Sequence, residues 1–322
     1  MLNKYLFTNK EVLKSTRDAF GEALLDLAKT NQDIVVVSAD LAESTRVHKF
    51  AKKYPKRFFE VGVAEQNMLG VAAGLALSNK IPFAASFAAF SPGRNWDQLR
   101  VSICYSKANV KIVSTHSGLA VGPDGASHQA LEDIAITRCL PNLTVIAPID
   151  YEQTKKAVKA ITRLTGPIYL RLTRQNSPVI TTAQTPFQIG KANILQAGKD
   201  ITLIGCGPIL YEALTAAREL KKQNISVEII DLHTIKPLDA TTILRSVKKT
   251  KKIITLEEHQ VAGGLGSAVV EMLAQKYPVP TQIIGVQDRF GESGQTNELW
   301  KKYKLNREYI KQSILTMMKN KV

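Results

Sequence analysis

The stretch EVGVAEQNMLGVAAGLALS, residues 60–78, joins a strand end to a helix that is apolar nearly throughout, with one carboxylate, Glu65, at the helix head. Strand, short turn and helix form the repeating unit of an α/β fold, and this helix is too rich in apolar and small residues to lie on a wet surface. A carboxylate in that setting carries a desolvation cost unless a hydrogen bond or an opposite charge meets it, so a partner for Glu65 is expected. Read alone, the same residue serves equally as a first-turn carboxylate that answers the helix dipole while facing water.

The alternation continues on both sides. Strand-like runs fall at IVVVS (34–38), FFEVG (58–62), PFAASF (82–87), VKIVST (110–115), TVIAP (144–148) and IYLRLT (168–173), and helical segments separate most of them. The helix from about Ser15 to Lys29 opens with Ser15 and Asp18 as a cap pair and carries Phe20, Leu24 and Leu27 on one face. Several strands are continuously apolar, the mark of a parallel sheet covered on both faces. Polar and proline residues break the pattern over 174–192. A second unit then follows with the strand ITLIG in ITLIGCGP (201–208), a helix at 211–223, one strand at SVEIIDLHTIKP (226–237), the strand KIITLEEH (252–259) and a helix after GGLGS (263–267). The expected fold is α/β, with two open, mostly parallel sheets and helices on both faces. Residues 1–182 form the first domain, 183–198 a linker and 199–322 a smaller second domain.

Composition narrows the function. With 322 residues, 44% hydrophobic, the chain can bury two cores. The N-terminus has no apolar core or small-residue cleavage site, and no run approaches the roughly eighteen apolar residues of a membrane span. A cytoplasmic protein is expected, and the initiating Met with a helix from about Ser15 suggests a natural start. Cys104, Cys139 and Cys206 lack paired spacing and read as reduced, small core residues. The net charge of +15 comes from dispersed lysines. The densest run, Lys248–Lys252, has no interleaved aromatic residues and reads as a solvated turn, so no nucleic acid partner is expected. Gly205-Cys206-Gly207-Pro208 lacks the third glycine of a dinucleotide fingerprint, and Gly263–Gly266 reads as close strand-to-helix packing.

The chemistry-bearing residues gather in the first domain. Phe87 and Phe90, three apart at a strand end, could grip a flat ring or simply pack a core. STHSGLAVGPDGASHQALED (114–133) places His116, Asp124 and His128 in a glycine-rich loop after the next strand. Two imidazoles and a carboxylate make a poor structural loop and a good catalytic one. A metal site is disfavoured because no third ligand is suitably spaced.

VGVAEQNMLGVAAGLAL (61–77), FAAFSPGRNWDQLR (87–100), VGPDGASHQALEDIA (121–135), LRLTRQN (170–176) and VQDRFGESG (286–294) together resemble the C-terminal half of transketolase, in that family's order. The resemblance covers nearly the whole chain. It implies a pyrimidine-binding domain followed by a smaller C-terminal domain, with thiamine diphosphate as cofactor. Glu65 would hydrogen-bond a ring nitrogen of the aminopyrimidine and favour the tautomer that lets the cofactor deprotonate its own reactive carbon. Phe87 and Phe90 would stack on that ring. His116 and His128 would handle protons and hydroxyls of the sugar, and Asp124 would read the hydroxyl beside the carbonyl. Arg174 would hold a phosphosugar's phosphate, against the alternative of a surface charge before a linker.

The family's GDG motif for diphosphate and Mg2+ is missing from this chain. The resemblance therefore implies one subunit of a split transketolase of the pentose phosphate pathway, inactive alone. An N-terminal partner subunit would carry the GDG site and the Mg2+ ligands in a two-plus-two assembly. Gly70, Ala72, Ala73, Gly74 and Ala76 on the helix after Glu65 fit a close helix contact, within the domain or between subunits. Pro123 before Asp124, and Gly93 after Phe90, depart from the usual pattern and bear on substrate choice. The alternatives are a subunit of a sister enzyme (deoxyxylulose phosphate synthase or the beta chain of a 2-oxo acid dehydrogenase) or a non-catalytic scaffold that kept the fold.

Overall fold

In the computed structural model, which describes residues 2–319, the strands and helices form two open sheets and a small two-stranded ribbon. Met1, read above as a natural start, lies outside the described residues. In chain order the strands are β1 (Leu13–Ser15), β2 (Ile34–Ser38), β3 (Phe58–Glu60), β4 (Ile81–Phe87), β5 (Lys111–Thr115), β6 (Thr144–Ile146) and β7 (Ile168–Arg171), then β8 (Asn176–Pro178), β9 (Asn193–Gln196), β10 (Ile201–Gly205), β11 (Val227–Asp231), β12 (Thr234–Lys236), β13 (Ile253–Gln260) and β14 (Thr281–Val286). The larger sheet runs β12-β6-β7-β5-β4-β2-β3 and the smaller β14-β13-β10-β11-β9. In each, a single antiparallel edge strand, β12 or β9, flanks an otherwise parallel set.

Period-two alternation sends the large sheet's side chains into two cores. Val36, Phe83, Ala85, Val113 and Leu170 pack with Phe20, Leu24, Val158 and Ile161 from helices Thr16–Leu27 and Tyr151–Arg163. Their neighbours Val37, Ala84, Ile112 and Tyr169 pack with Met68, Leu69 and Ala72 of helix Glu65–Leu77. This second core continues into the smaller sheet through Ile204, Ile230 and Ile253, so the two sheets share one apolar interior. The Ser15 cap forms as expected, its Oγ accepting the Asp18 N–H at 3.1 Å and donating to Asp18 Oδ2 at 2.5 Å.

Three expectations change. SVEIIDLHTIKP is two strands: β11 joins the small sheet, and β12 crosses to the edge of the large one. The crossing is pinned where Leu232 N–H donates to the Gly205 carbonyl and Ala147 N–H to the His233 carbonyl, each at 2.8 Å. One apolar run satisfies either sheet, so its pattern hides the switch. Residues 193–196, placed in the linker, are β9 paired with β11. Cys139, read as a core residue, is exposed because it ends the short surface helix Asp133–Arg138; Cys104 and Cys206 are buried.

Adjacent parallel pairing of β4, β5 and β7 brings their C-terminal ends together. In open α/β sheets that edge is where ligands gather. Phe87 ends β4, His116 follows β5 and Arg174 lies three residues beyond β7.

Candidate active site

Glu65 opens its helix with no side-chain cap before it and is 5% exposed. The partner that burial demands is Arg94, whose Nη1 donates to Glu65 Oε1 at 3.1 Å. Two further bonds tie the segments together. Asn95 Nδ2 donates to the Glu65 carbonyl at 3.0 Å and Gln66 Nε2 to the Arg94 carbonyl at 3.3 Å. The Arg94 guanidinium carbon also lies 4.2 Å from the centroid of Phe90, a cation–π contact. Beside this pair opens a cavity of 550 Å³ lined by Val63, Ala64, Glu65, Gln66, Asn67 and Arg94.

The aromatic pair and both histidines come together. Phe87 and Phe90 stack with centroids 5.7 Å apart. The His116 ring stacks on Phe87 at 3.7 Å, and His128 meets Phe90 edge-on at 5.3 Å. Phe87 is buried against His116, whereas Phe90 is half-buried. His116 takes a left-handed φ of 56°, a costly conformation for a non-glycine residue and one that concentrates at functional sites. Its Nδ1 is 2.8 Å from Thr115 Oγ1 and its Nε2 is 3.5 Å from Arg17 Nη1. Burial, reinforced by Arg17, Arg174 and His128, pushes the His116 imidazole down to about 3. The ring is therefore neutral near pH 7 and available as a hydrogen-bonding group without charge.

Asp124 and Arg174 also meet. Arg174 Nη1 donates to Asp124 Oδ1 at 3.2 Å and to the Val121 carbonyl at 2.7 Å, which leans the guanidinium on the loop while leaving it partly exposed. All seven residues singled out in the sequence thus lie along one edge of the large sheet, with Glu65 reaching the aromatic pair through Arg94.

Sequence reasoning missed Arg94 and Arg17. Arg94 carried a usable signal, a cation just past Phe90 in a chain whose buried carboxylate needed a partner. Arg17 carried none, because it sits on a helix 99 residues before His116. Its Nη1 donates to the Ser44 carbonyl at 3.0 Å, while its buried Nε has no hydrogen-bond partner. Burial and the nearby Arg46 lower the Arg17 pKa from its usual value. Arg17 and Arg174 crowd positive charge beside His116, an arrangement suited to an anionic group. Among the described residues, no group of three or more His, Cys, Asp or Glu side chains could hold a metal ion. No described helix is long and apolar enough to cross a membrane.

Residues 13–179 match the family described as transketolase, pyrimidine binding domain, and residues 190–310 match transketolase, C-terminal domain. A relative from Methanocaldococcus jannaschii, itself provisionally described as a transketolase C-terminal section, is 46% identical over 96% of this chain and 98% of its own length. A 6-deoxy-6-sulfo-D-fructose transketolase subunit from Clostridium sp. (strain MSTE9) is 42% identical, with 91% of each chain covered. Human transketolase is 38% identical over 93% of this chain, a match that covers 48% of the human protein. A solved structure described as a split gene transketolase, inactive beta4 tetramer, superposes with a TM-score of 0.88 at 43% identity, covering 94% of this chain and 98% of that one. Both domains of its fold and these relatives along nearly its full length place the chain in the transketolase family, a thiamine diphosphate-dependent family, as a C-terminal section.

Proposed function

We propose that this chain is the C-terminal subunit of a transketolase that moves a two-carbon ketol unit between phosphosugars, active only with an N-terminal subunit that carries the GDG site. The observation that carries the reading is Glu65: a carboxylate 5% exposed, in the wall of a 550 Å³ cavity, with the half-buried ring of Phe90 near by. A buried carboxylate beside an aromatic face fits a flat ring with N–H or protonated nitrogen at its edge, as an aminopyrimidine has. Glu65 and Phe90 would hold that ring, with Phe87 behind. When bound, thiamine diphosphate supplies the carbon nucleophile and electron sink for cleaving and remaking the bond next to a carbonyl.

This chain's residues do the binding and orienting. Glu65 fixes the protonation of the nitrogen it meets. Neutral His116 and half-buried His128 offer hydrogen bonds to sugar hydroxyls, Asp124 accepts from a hydroxyl near the carbonyl, and Arg174 with Arg17 receives the anionic end. Mg2+ and its ligands, like the diphosphate site, are assigned to the partner. A two-plus-two assembly would cover helix Glu65–Leu77 where Gly70 and Gly74 are open: a Cβ at either would have no neighbour within 4 Å.

The test is to co-express the chain with a GDG-bearing partner, purify the complex, and assay transfer from xylulose 5-phosphate to ribose 5-phosphate with thiamine diphosphate and Mg2+. Transfer by the complex and by neither chain alone supports the reading. A complex that instead condenses pyruvate with glyceraldehyde 3-phosphate moves the assignment to the sister synthase. Cofactor binding with transfer only from other anionic sugars keeps the reaction class and changes the substrate. The relatives that act on a sulfo-sugar and on apulose 4-phosphate make that panel worthwhile.

A further inference from the structure

The smaller domain reaches into the site. The loop that carries Asp124 and His128 lies against two stretches of the second domain: the end of β13, and the turn from 290 to 296 that holds the FGESG motif. Glu258, 3% exposed, points out of β13 toward this loop, and its Oε1 accepts the backbone N–H of Ala120. The approach is so close that a Cβ on residue 118 would fall 2.7 Å from the Glu258 carboxyl carbon; Gly118, at φ 75°, is what leaves room. Farther along, a Cβ on Gly125 would fall 2.6 Å from Ser293 Oγ, and Gln129 Nε2 donates to the Glu292 carbonyl at 2.9 Å. Between these anchors the loop presents Asp124, which meets Arg174 at 3.2 Å.

We infer that Glu258 is a positioning residue for the substrate loop: through the Ala120 N–H it sets the loop that holds Asp124 against Arg174, and so gives the second domain a part in sugar recognition. The backbone that carries this side chain is itself held. Arg171 Nη2 donates to the Glu258 carbonyl at 2.9 Å, and the same guanidinium is locked to buried Asp133 by bonds of 2.7 and 3.2 Å. A rigid support of this kind is what holds a binding group in place when its own loop is rich in glycine. Glu258 touches neither the Glu65–Arg94 pair nor Phe90, so its influence falls on sugar binding and leaves cofactor binding alone.

The test rests on the proposed function for its kinetic arm only. In the complex with the GDG-bearing partner, Glu258→Ala should speed hydrogen exchange at the amides of residues 119–122, 124 and 125 and raise KM for the phosphosugar, each by about three- to tenfold, the scale of one lost net hydrogen bond. The kcat value should stay within about twofold and thiamine diphosphate affinity should not change. Glu258→Gln, which keeps an acceptor oxygen of the same reach, should restore exchange and KM to within about twofold of the parent. In the unaltered protein the Ala120 amide should exchange as slowly as the β13 amides, a measurement that does not depend on any variant folding. Fast exchange at Ala120 in the parent, an unchanged loop in Glu258→Ala, or a fall in cofactor affinity that tracks KM would each overturn the inference. If the complex binds no thiamine diphosphate at all, the functional reading fails while the exchange data still decide the role of Glu258.

Discussion

Lowering the pH from 7.5 to 5.0 should expose the cost of keeping His116 neutral. In the folded chain its imidazole is held down to about 3 by burial first and by Arg17 and Arg174 next. In the unfolded chain it returns to about 6.5. A folded pKa below the unfolded one means that the unfolded state binds the extra proton, so stability is full above pH 6.5 and falls as the pH drops toward 3. At pH 5.0 the folded ring is still neutral while the unfolded ring is almost wholly charged, and the linkage integral from pH 7.5 comes to about 2 kcal/mol. His116→Gln removes this contribution. The assay is urea unfolding of the parent and the variant at both pH values. His233, also pushed down by burial, to about 4, is common to both and cancels in the comparison. The parent should lose about 2 kcal/mol more than the variant. Equal losses, or a His116 ring proton in the NMR spectrum that titrates near pH 6.5, would refute a neutral, desolvated His116 and with it the uncharged role assigned above.

Other perturbations probe the remaining contacts. Arg171→Met strands Asp133, a fully buried carboxylate that also accepts from Tyr169 at 2.8 Å; thermal or urea unfolding should show a loss of about 3–5 kcal/mol, and a loss below about 1 would mean the pair is relaxed by water. Arg94→Ala empties the space over Phe90 and beside Glu65 that a flat cofactor ring must share, so stopped-flow association of thiamine diphosphate with the assembled complex should be several-fold faster; slower association would make Arg94 a ligand contact instead of an occupant. Arg94 is 52% exposed but Glu65 only 5%, so the stranded carboxylate should lower stability by about 1–3 kcal/mol in urea unfolding. Arg174→Ala should raise KM for phosphorylated sugars by about tenfold or more and spare non-phosphorylated analogues; equal losses for both would remove its phosphate role.

Sequence carried the parts of the site that lie in local motifs. Glu65 stood out as a charge on an apolar helix, Phe87 and Phe90 by spacing at a strand end, and His116, Asp124 and His128 by crowding in one loop. What local pattern could not carry was whatever depends on two distant segments meeting. Arg17 is an ordinary surface cation on an amphipathic helix until β5 delivers His116 beside it. Glu258 reads as an interior position of a buried strand until the second domain folds back on the loop at Ala120. The same limit hid the switch of sheets between β11 and β12, because an apolar run satisfies either edge. Phe87 and Phe90 look alike in spacing but differ in burial: Phe87 is buried against His116, which leaves Phe90 as the more accessible ring.

The account stands most directly on Glu65. In the complex with a GDG-bearing partner, ketol transfer should be measured for the parent and for Glu65→Ala, with sedimentation confirming that both assemble. The account predicts intact assembly and a loss of turnover of about a hundredfold or more, the scale of a missing general acid–base contribution. Turnover retained in the assembled variant would contradict it.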